Sequence, residues 1–251
     1  MDKKNVIIAG YPKSGTTWLS RLVAELIVCP LKGDWGFENL TPPYSEGLGR
    51  ISEYQCFKSH HSFEELSKVS ELSIHKIIYI VRDPRDVVIS GVHYFQFFPS
   101  FLNFLKIDPV RRFFYRFTSN KEKKKQMIKA VLNGDETINQ WLRSSWRSHY
   151  ESYQKDNVLL VKYEDLLKTP YRECNRINNF IGVPVKKDHI AECIHVQSFQ
   201  NRKNEKMSMN QGRFRILLRK GSSGYWKEEF SDLEVDLFKN AFKDLKMPYE
   251  F

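Results

Sequence analysis

The sequence predicts a three-layer α/β fold, in which a central parallel sheet is flanked by helices and residues 1–251 form a single domain. Three observations predict it. Apolar, β-branched runs of strand length recur at Val6–Ala9, Lys76–Val81 and Asn157–Lys162, with helically periodic stretches between them. Two of these runs end on a turn signal that opens a helix, Gly10 to Gly15 after the first and Asp83-Pro84 after the second, as alternating strands and helices require. The chain has 251 residues, 41% hydrophobic and 14% aromatic, enough for one sizeable core with excursions.

The first run, Val6-Ile7-Ile8-Ala9, reads as a buried strand, and Gly10-Tyr11-Pro12-Lys13-Ser14-Gly15 as a tight loop. Trp18, Leu19, Leu22, Val23, Leu26 and Ile27 then form one face of a helix. Backbone N–H groups in the loop and first helical turn lack intrahelical acceptors, and the helix dipole adds partial positive charge where they converge. The expected guest is a phosphate or a phosphate-like group. Gly10 and Gly15 have the spacing of the triphosphatase loop, G-x-x-x-x-G-K-[ST], but Thr16 stands in the lysine position and Lys13 lies inside the loop. That weakens the reading as a metal-dependent P-loop nucleotide kinase, which stays as an alternative, and keeps the anion cradle. Taken alone, the stretch also fits a plain α/β connection.

Cys29-Pro30 stops the helix, and residues 31–49 read as an irregular loop, long enough to suggest a functional role or an ordered surface packing Trp35, Phe37 and Tyr44. Tyr54-Gln55-Cys56-Phe57-Lys58 is a short strand leading into Ser59-His60-His61. After Lys76–Val81 comes Arg82, whose planar guanidinium suits a phosphate fork. A helix start follows, with Asp83 as N-cap, Pro84 at the first position and Asp86 in the first turn. Arg85 and Asp86 also suit a surface ion pair.

Residues 95–135 interleave aromatic and basic side chains, a pattern that fits single-stranded nucleic-acid stacking or, in the favoured reading, an amphipathic helical cap. Thr137 to Tyr150 reads as helical, Asn157–Lys162 as a strand, and Pro170 to Phe180 and the stretch from Lys187 as helices. Asn201 to Arg213 is polar and unpatterned, hence mobile.

These motifs carry a resemblance. Tyr11 to Trp18 resembles the 5′-phosphosulfate loop of the PAPS-dependent sulfotransferases of the cytosolic small-molecule type, a P-loop-like fold. Lys58-Ser59-His60 resembles that family's catalytic-histidine motif, and Arg82 with Ser90, eight residues on, its 3′-phosphate motif. Tyr163-Glu164-Asp165 and the stretch around Phe199 are similar to its adenine-contacting segments, although Glu164 and Asp165 also suit helix capping. Arg219-Lys220-Gly221-Ser222-Ser223-Gly224-Tyr225-Trp226-Lys227 resembles its C-terminal motif, with Tyr225 in place of the usual aspartate.

The resemblance implies transfer of a sulfuryl group from PAPS to a hydroxyl or amine of a small-molecule acceptor, releasing PAP and using no metal. It implies His60 as base, rather than His61; a neutral imidazole, with an ordinary pKa of about 6.5, suits removal of the acceptor proton. Lys13 would stabilise charge on the leaving phosphate and Lys58 would sit near the transferred group. Ser14, Gly15, Thr16 and Thr17 would hold the 5′-phosphate, and Trp18, Tyr163 and Phe199 the adenine. Arg82, Ser90, Arg219, Lys220 and Gly221 would hold the 3′-phosphate. By the same resemblance residues 95–135 would line the acceptor site, as would part of 31–49, and residues 200–220 would close over the nucleotide. The family's short dimer motif is not recognisable after Lys227, so the oligomeric state is left open.

Forty basic against thirty acidic residues leave a net charge of +10, which favours an anionic partner without ranking nucleotide, nucleic acid or membrane. The run Lys121–Lys125 suits a solvated face. Cys29, Cys56, Cys174 and Cys193 are scattered, with no C-x-x-C and no H-E-x-x-H, so buried reduced thiols are expected rather than a metal site or a disulfide frame. No segment approaches eighteen apolar residues and Val6–Ala9 is too short for a signal-peptide core. A cytoplasmic enzyme bound to neither nucleic acid nor membrane is expected.

Overall fold

The β-branched runs pair as a sheet. The computed structural model describes residues 2–42, 44–97, 118–208, 221–246 and 249. Strands β1 (Lys4–Ala9), β2 (Leu31–Asp34), β3 (Tyr54–Ser59), β4 (Ile74–Val81) and β5 (Val158–Lys162) are all parallel, in the order β2-β3-β1-β4-β5. The helices are α1 (Thr16–Leu26), α2 (Phe63–Leu66), α3 (Pro84–Val92), α4 (Asn120–Asn133), α5 (Trp146–Ser152), α6 (Tyr163–Lys168), α7 (Pro170–Ile181), α8 (Lys187–Val196), α9 (Phe199–Ser208), α10 (Trp226–Glu229) and α11 (Asp232–Phe242). This is the three-layer α/β architecture the sequence predicts. The chain divides into two units, Met1–Arg82 with Tyr150–Ser222, and Asp83–His149 with Ser223–Phe251.

All five strands belong to the first unit, and the period of two along each strand decides what they bury. Val6, Ile8, Cys56, Ile78, Ile80 and Val161 pack with Leu19, Leu22 and Val23 of α1, Cys174 and Ile177 of α7, and Ile190 and Cys193 of α8. The alternate residues meet aromatic rings: Phe57 lies edge-on to Trp35 at 5.2 Å, and Tyr79 stacks on Tyr153 at 4.4 Å. A sheet covered on both faces requires near-continuous apolar runs, as Val6–Ala9 of β1 and the second half of β4 are. Packing dominates the energetics. Truncating one fully buried Ile or Leu costs about 2–5 kcal/mol, whereas an exposed pair such as Lys4–Glu53, screened by solvent, contributes little.

In the second unit α3 packs on α4. A Cβ on Gly91 would lie 2.6 Å from Met127 Sδ, so the glycine sets their approach. On α4, Met127, Ile128, Ala130 and Val131 are buried while Lys121, Lys125 and Lys129 are exposed, so these lysines form a solvated face. Lys124 instead pairs with Glu234 of α11 at 2.8 Å. Residues 98–117 of the expected cap lie outside the described residues.

Three elements differ from the sequence reading. Leu31–Asp34, read as loop, is the edge strand β2, paired to β3 and held by a backbone bridge from Leu31 to Glu46. Thr137 to Tyr150 is not one helix but a short 3₁₀ turn (Gln140–Leu142) followed by α5. There the Asn139 side chain accepts from Trp141 N at 3.0 Å and Asp135 from Thr137 N at 3.1 Å, local bonds that compete with helical ones. The stretch 201–213 is helical through Ser208, with Arg202 buried against Glu46; residues 209–213 lie outside the described residues.

Candidate active site

The sheet order places a topological switch between β1 and β4. From β1 the chain turns through α1 to β2 on one side, and from β4 it runs on toward β5 on the other. Open α/β sheets bind ligands outside the carboxyl ends of strands at such a point. The two connections here are the loop 10–15 and Arg82.

Helix α1 begins uncapped. Its N-cap is Gly15, which has no side chain to offer its amides, and the first turn holds no acidic residue. The contrast is α3, where the Asp83 carboxylate accepts from Arg85 N at 2.9 Å and Asp86 lies in the first turn. One N-terminus is open to an anion and the other is already satisfied. Gly15 is required for two reasons: its φ is +99°, and a Cβ there would lie 2.7 Å from the Tyr163 ring.

Lys13 also has positive φ, 72°, a conformation that costs a non-glycine residue about 1–3 kcal/mol and recurs at functional sites. Arg82 helps to hold it, donating from Nη1 to Lys13 O at 3.2 Å and from Nη2 to Ser222 O at 3.0 Å. The guanidinium also lies 4.4 Å above the Tyr163 ring. Burial of the Lys13 ammonium, with the positive charges of Arg82 and Lys58 beside it, lowers its pKa to about 7.

Among the described residues, Ser14 Oγ, Thr16 Oγ1, Arg82 Nε and Ser222 Oγ are buried without a hydrogen-bond partner. Leaving such groups unpaired costs about 1–3 kcal/mol each. Three hydroxyls and a guanidinium N–H around an uncapped helix start match the donors an oxyanion needs, so these residues fit the phosphate groups of a nucleotide.

His60 Nδ1 lies 2.6 Å from Gly10 O. A carbonyl only accepts, so Nδ1 carries the hydrogen and the neutral ring has its lone pair on Nε2. His61 has a different environment: it is buried, stacks on Phe37 at 6.4 Å, and its carbonyl accepts from Tyr153 Oη at 2.8 Å. Lys58 Nζ lies 3.2 Å from Asp34 Oδ1 and 4.5 Å over the Tyr44 ring.

Trp18 meets Tyr163 edge-on at 5.6 Å and donates from Nε1 to Gln197 O at 2.9 Å. Phe199 opens α9 and lies against Gly221, where φ is +64° and no Cβ would fit. Thr17 lies in the first turn of α1. Ser90 lies on α3 in the second unit, half-buried, and Arg219 and Lys220 lie outside the described residues.

Arg85 and Asp86 are not a surface pair. Both are buried; Arg85 forks onto Asp83 at 2.7 and 2.9 Å, and Asp86 accepts from Gly224 N at 2.7 Å and Trp226 N at 3.3 Å. The sequence reading did not single out Ser222, Gln197, Asp34 or Glu46. Ser222 sits inside a quoted motif and was findable there. Asp34 and Glu46 fall in a stretch without periodicity, and nothing local marks them.

Residues 3–247 match the family model described as Sulfotransferase domain. The chain belongs to the sulfotransferase domain family. It is 29% identical to human Sulfotransferase 2A1 over 264 residues, spanning 96% of this chain and 84% of that protein. It is 27% identical to 3-alpha-hydroxysteroid sulfotransferase of Cavia porcellus, spanning 98% and 85%. Among solved structures, mouse sulfotransferase SULT7A1 complexed with PAP matches with a TM-score of 0.68 at 25% identity, covering 97% of this chain and 85% of that one. This sulfotransferase uses PAPS as cosubstrate and acts on small molecules, so neither the kinase nor the nucleic-acid alternative stands.

The four cysteines are buried free thiols, as expected. Among the described residues no helix is long and apolar enough to cross a membrane.

Proposed function

We propose that this sulfotransferase sulfates the hydroxyl group of an apolar, hydroxysteroid-like acceptor, with His60 as general base. The observation that carries the base assignment is the 2.6 Å contact from His60 Nδ1 to Gly10 O, which leaves Nε2 as the proton-accepting atom beside the nucleotide loop. The acceptor class rests on the relatives: one that matches over 98% of this chain is a 3-alpha-hydroxysteroid sulfotransferase.

PAPS supplies the sulfuryl group, and the bond from sulfur to the phosphate oxygen breaks as the acceptor oxygen bonds to sulfur. His60 Nε2 takes the acceptor proton in that step. Lys13 stabilises charge on the departing phosphate; a neighbouring anion restores its protonation near neutral pH. Lys58, oriented by Asp34, lies near the transferred group. The amides and hydroxyls of Ser14 to Thr17 hold the 5′-phosphate, and Trp18, Tyr163 and Phe199 hold the base. Arg82 serves the 3′-phosphate together with Ser90, Arg219, Lys220 and Gly221. Four reduced thiols support a cytoplasmic site of action, with neither nucleic acid nor membrane as partner.

The test is transfer of label from radiolabelled PAPS to a panel of hydroxysteroids, simple phenols and arylamines. Label on a hydroxysteroid supports the proposal. Label on amines alone, or on no steroid, overturns it.

A further inference from the structure

We infer that Glu46 is a positioning residue for the adenine end of the nucleotide, clamping α9 to α1 through two buried arginines. The inference rests on the reading that Trp18, Tyr163 and Phe199 hold the base.

Glu46 has a fixed backbone. Leu31 N donates to Glu46 O at 2.9 Å and Glu46 N to Leu31 O at 3.3 Å, which pins the residue beside the sheet edge. Its Oε1 forms an ion pair with Arg21 of α1, 3.0 Å from Nε, and accepts a hydrogen bond from Arg202 Nη2 of α9. The Arg21 and Arg202 side chains are only 7% and 10% exposed. Glu46 places a carboxylate between two guanidiniums at that depth, where a counter-charge counts most.

The helix positions carry the consequence. Arg202 lies three residues beyond Phe199 on α9, and Arg21 three beyond Trp18 on α1, so each arginine shares a helix face with an aromatic residue assigned to the base. Trp18 is already tied to the start of the α9 segment through Gln197 O. Glu46 adds a second tie one turn away and fixes the angle at which α9 presents Phe199 against Gly221. Losing the carboxylate charge leaves both guanidiniums without that partner and frees α9 to swing, loosening the base while the phosphate donors stay in place.

The experiment compares calorimetric affinities for PAP and for ribose 3,5-bisphosphate, which has both phosphates and no base. It uses wild type, Glu46→Gln, Glu46→Asp, Arg202→Met and Arg82→Ala. Glu46→Gln and Arg202→Met should bind PAP about tenfold more weakly, the share of one base–aromatic stack, and ribose 3,5-bisphosphate within about twofold of wild type. KM for PAPS should rise by the same factor with kcat held, and Glu46→Asp should recover part of the loss. Unchanged PAP affinity, or equal losses for both ligands, overturns the inference. If Glu46→Gln does not fold, Arg202→Met decides alone. Arg82→Ala tests the underlying site: it should weaken both ligands, and if it weakens neither, the nucleotide-site reading fails independently of Glu46.

Discussion

Nucleotide binding should take up a proton at Lys13. Burial, then the charges of Arg82 and Lys58, lower this lysine from the ordinary range to about 7, so in the free protein at pH 8 it is about nine-tenths neutral. A phosphate placed in the loop favours the ammonium and raises the pKa again. Phosphate monoesters have a second pKa of about 6, so at pH 8 the ligand is already fully charged and the proton must go to the protein. Binding of PAP at pH 8 should therefore take up most of one proton.

The sign follows from the lowered pKa of the free state. The Lys13 contribution to affinity is fully present below pH 7 and is lost as pH rises through 7, by up to about tenfold per unit, until the pKa of the bound lysine is reached. Titration calorimetry in buffers of different ionisation enthalpy reads the uptake directly, and Lys13→Met should abolish it. Uptake below about 0.2 proton at pH 8, or equal uptake in Lys13→Met, would refute the reasoning.

Two further outcomes are expected. His60→Ala should lower kcat by about 10²–10⁴ with little change in PAP affinity, measured by initial rates and calorimetry; near-normal turnover would remove His60 from the chemistry. Gly15→Ala should destabilise the fold by about 1–3 kcal/mol, because alanine must adopt a φ of +99° and its Cβ would strike Tyr163. It should also erase the rise in Tm that PAP produces; a thermal melt with that rise intact would argue against the loop as phosphate cradle.

Much of the fold was legible because its signals are local. Val6–Ala9 and Ile77–Val81 are buried throughout and carry no charged residue, as a strand buried on both faces needs. Asp83 and Pro84 announce the start of α3 with short-range chemistry, and the Asp83 side chain does accept from Arg85 N. The misread elements lack such signals. Leu31–Asp34 is four residues long and is a strand only because β3 offers it a ladder. Residues 199–208 are mostly polar in sequence and form a helix in which Arg202 meets Glu46, 156 positions away in sequence.

The site divides along the same line. The sequence by itself determined the residue types: a lysine displaced within a glycine loop, a histidine after Lys58-Ser59, and an arginine at the end of an apolar strand, each marked by a motif only a few residues long. Only the tertiary structure decided their states. It gave His60 and His61 different surroundings, one a carbonyl at 2.6 Å and the other a buried place against Phe37. It set the Lys13 pKa by gathering Arg82 and Lys58 around a buried ammonium, and it turned Arg85 from Asp86 to Asp83. Charge state and tautomer depend on burial and on partners distant in sequence, which no local pattern of residues carries.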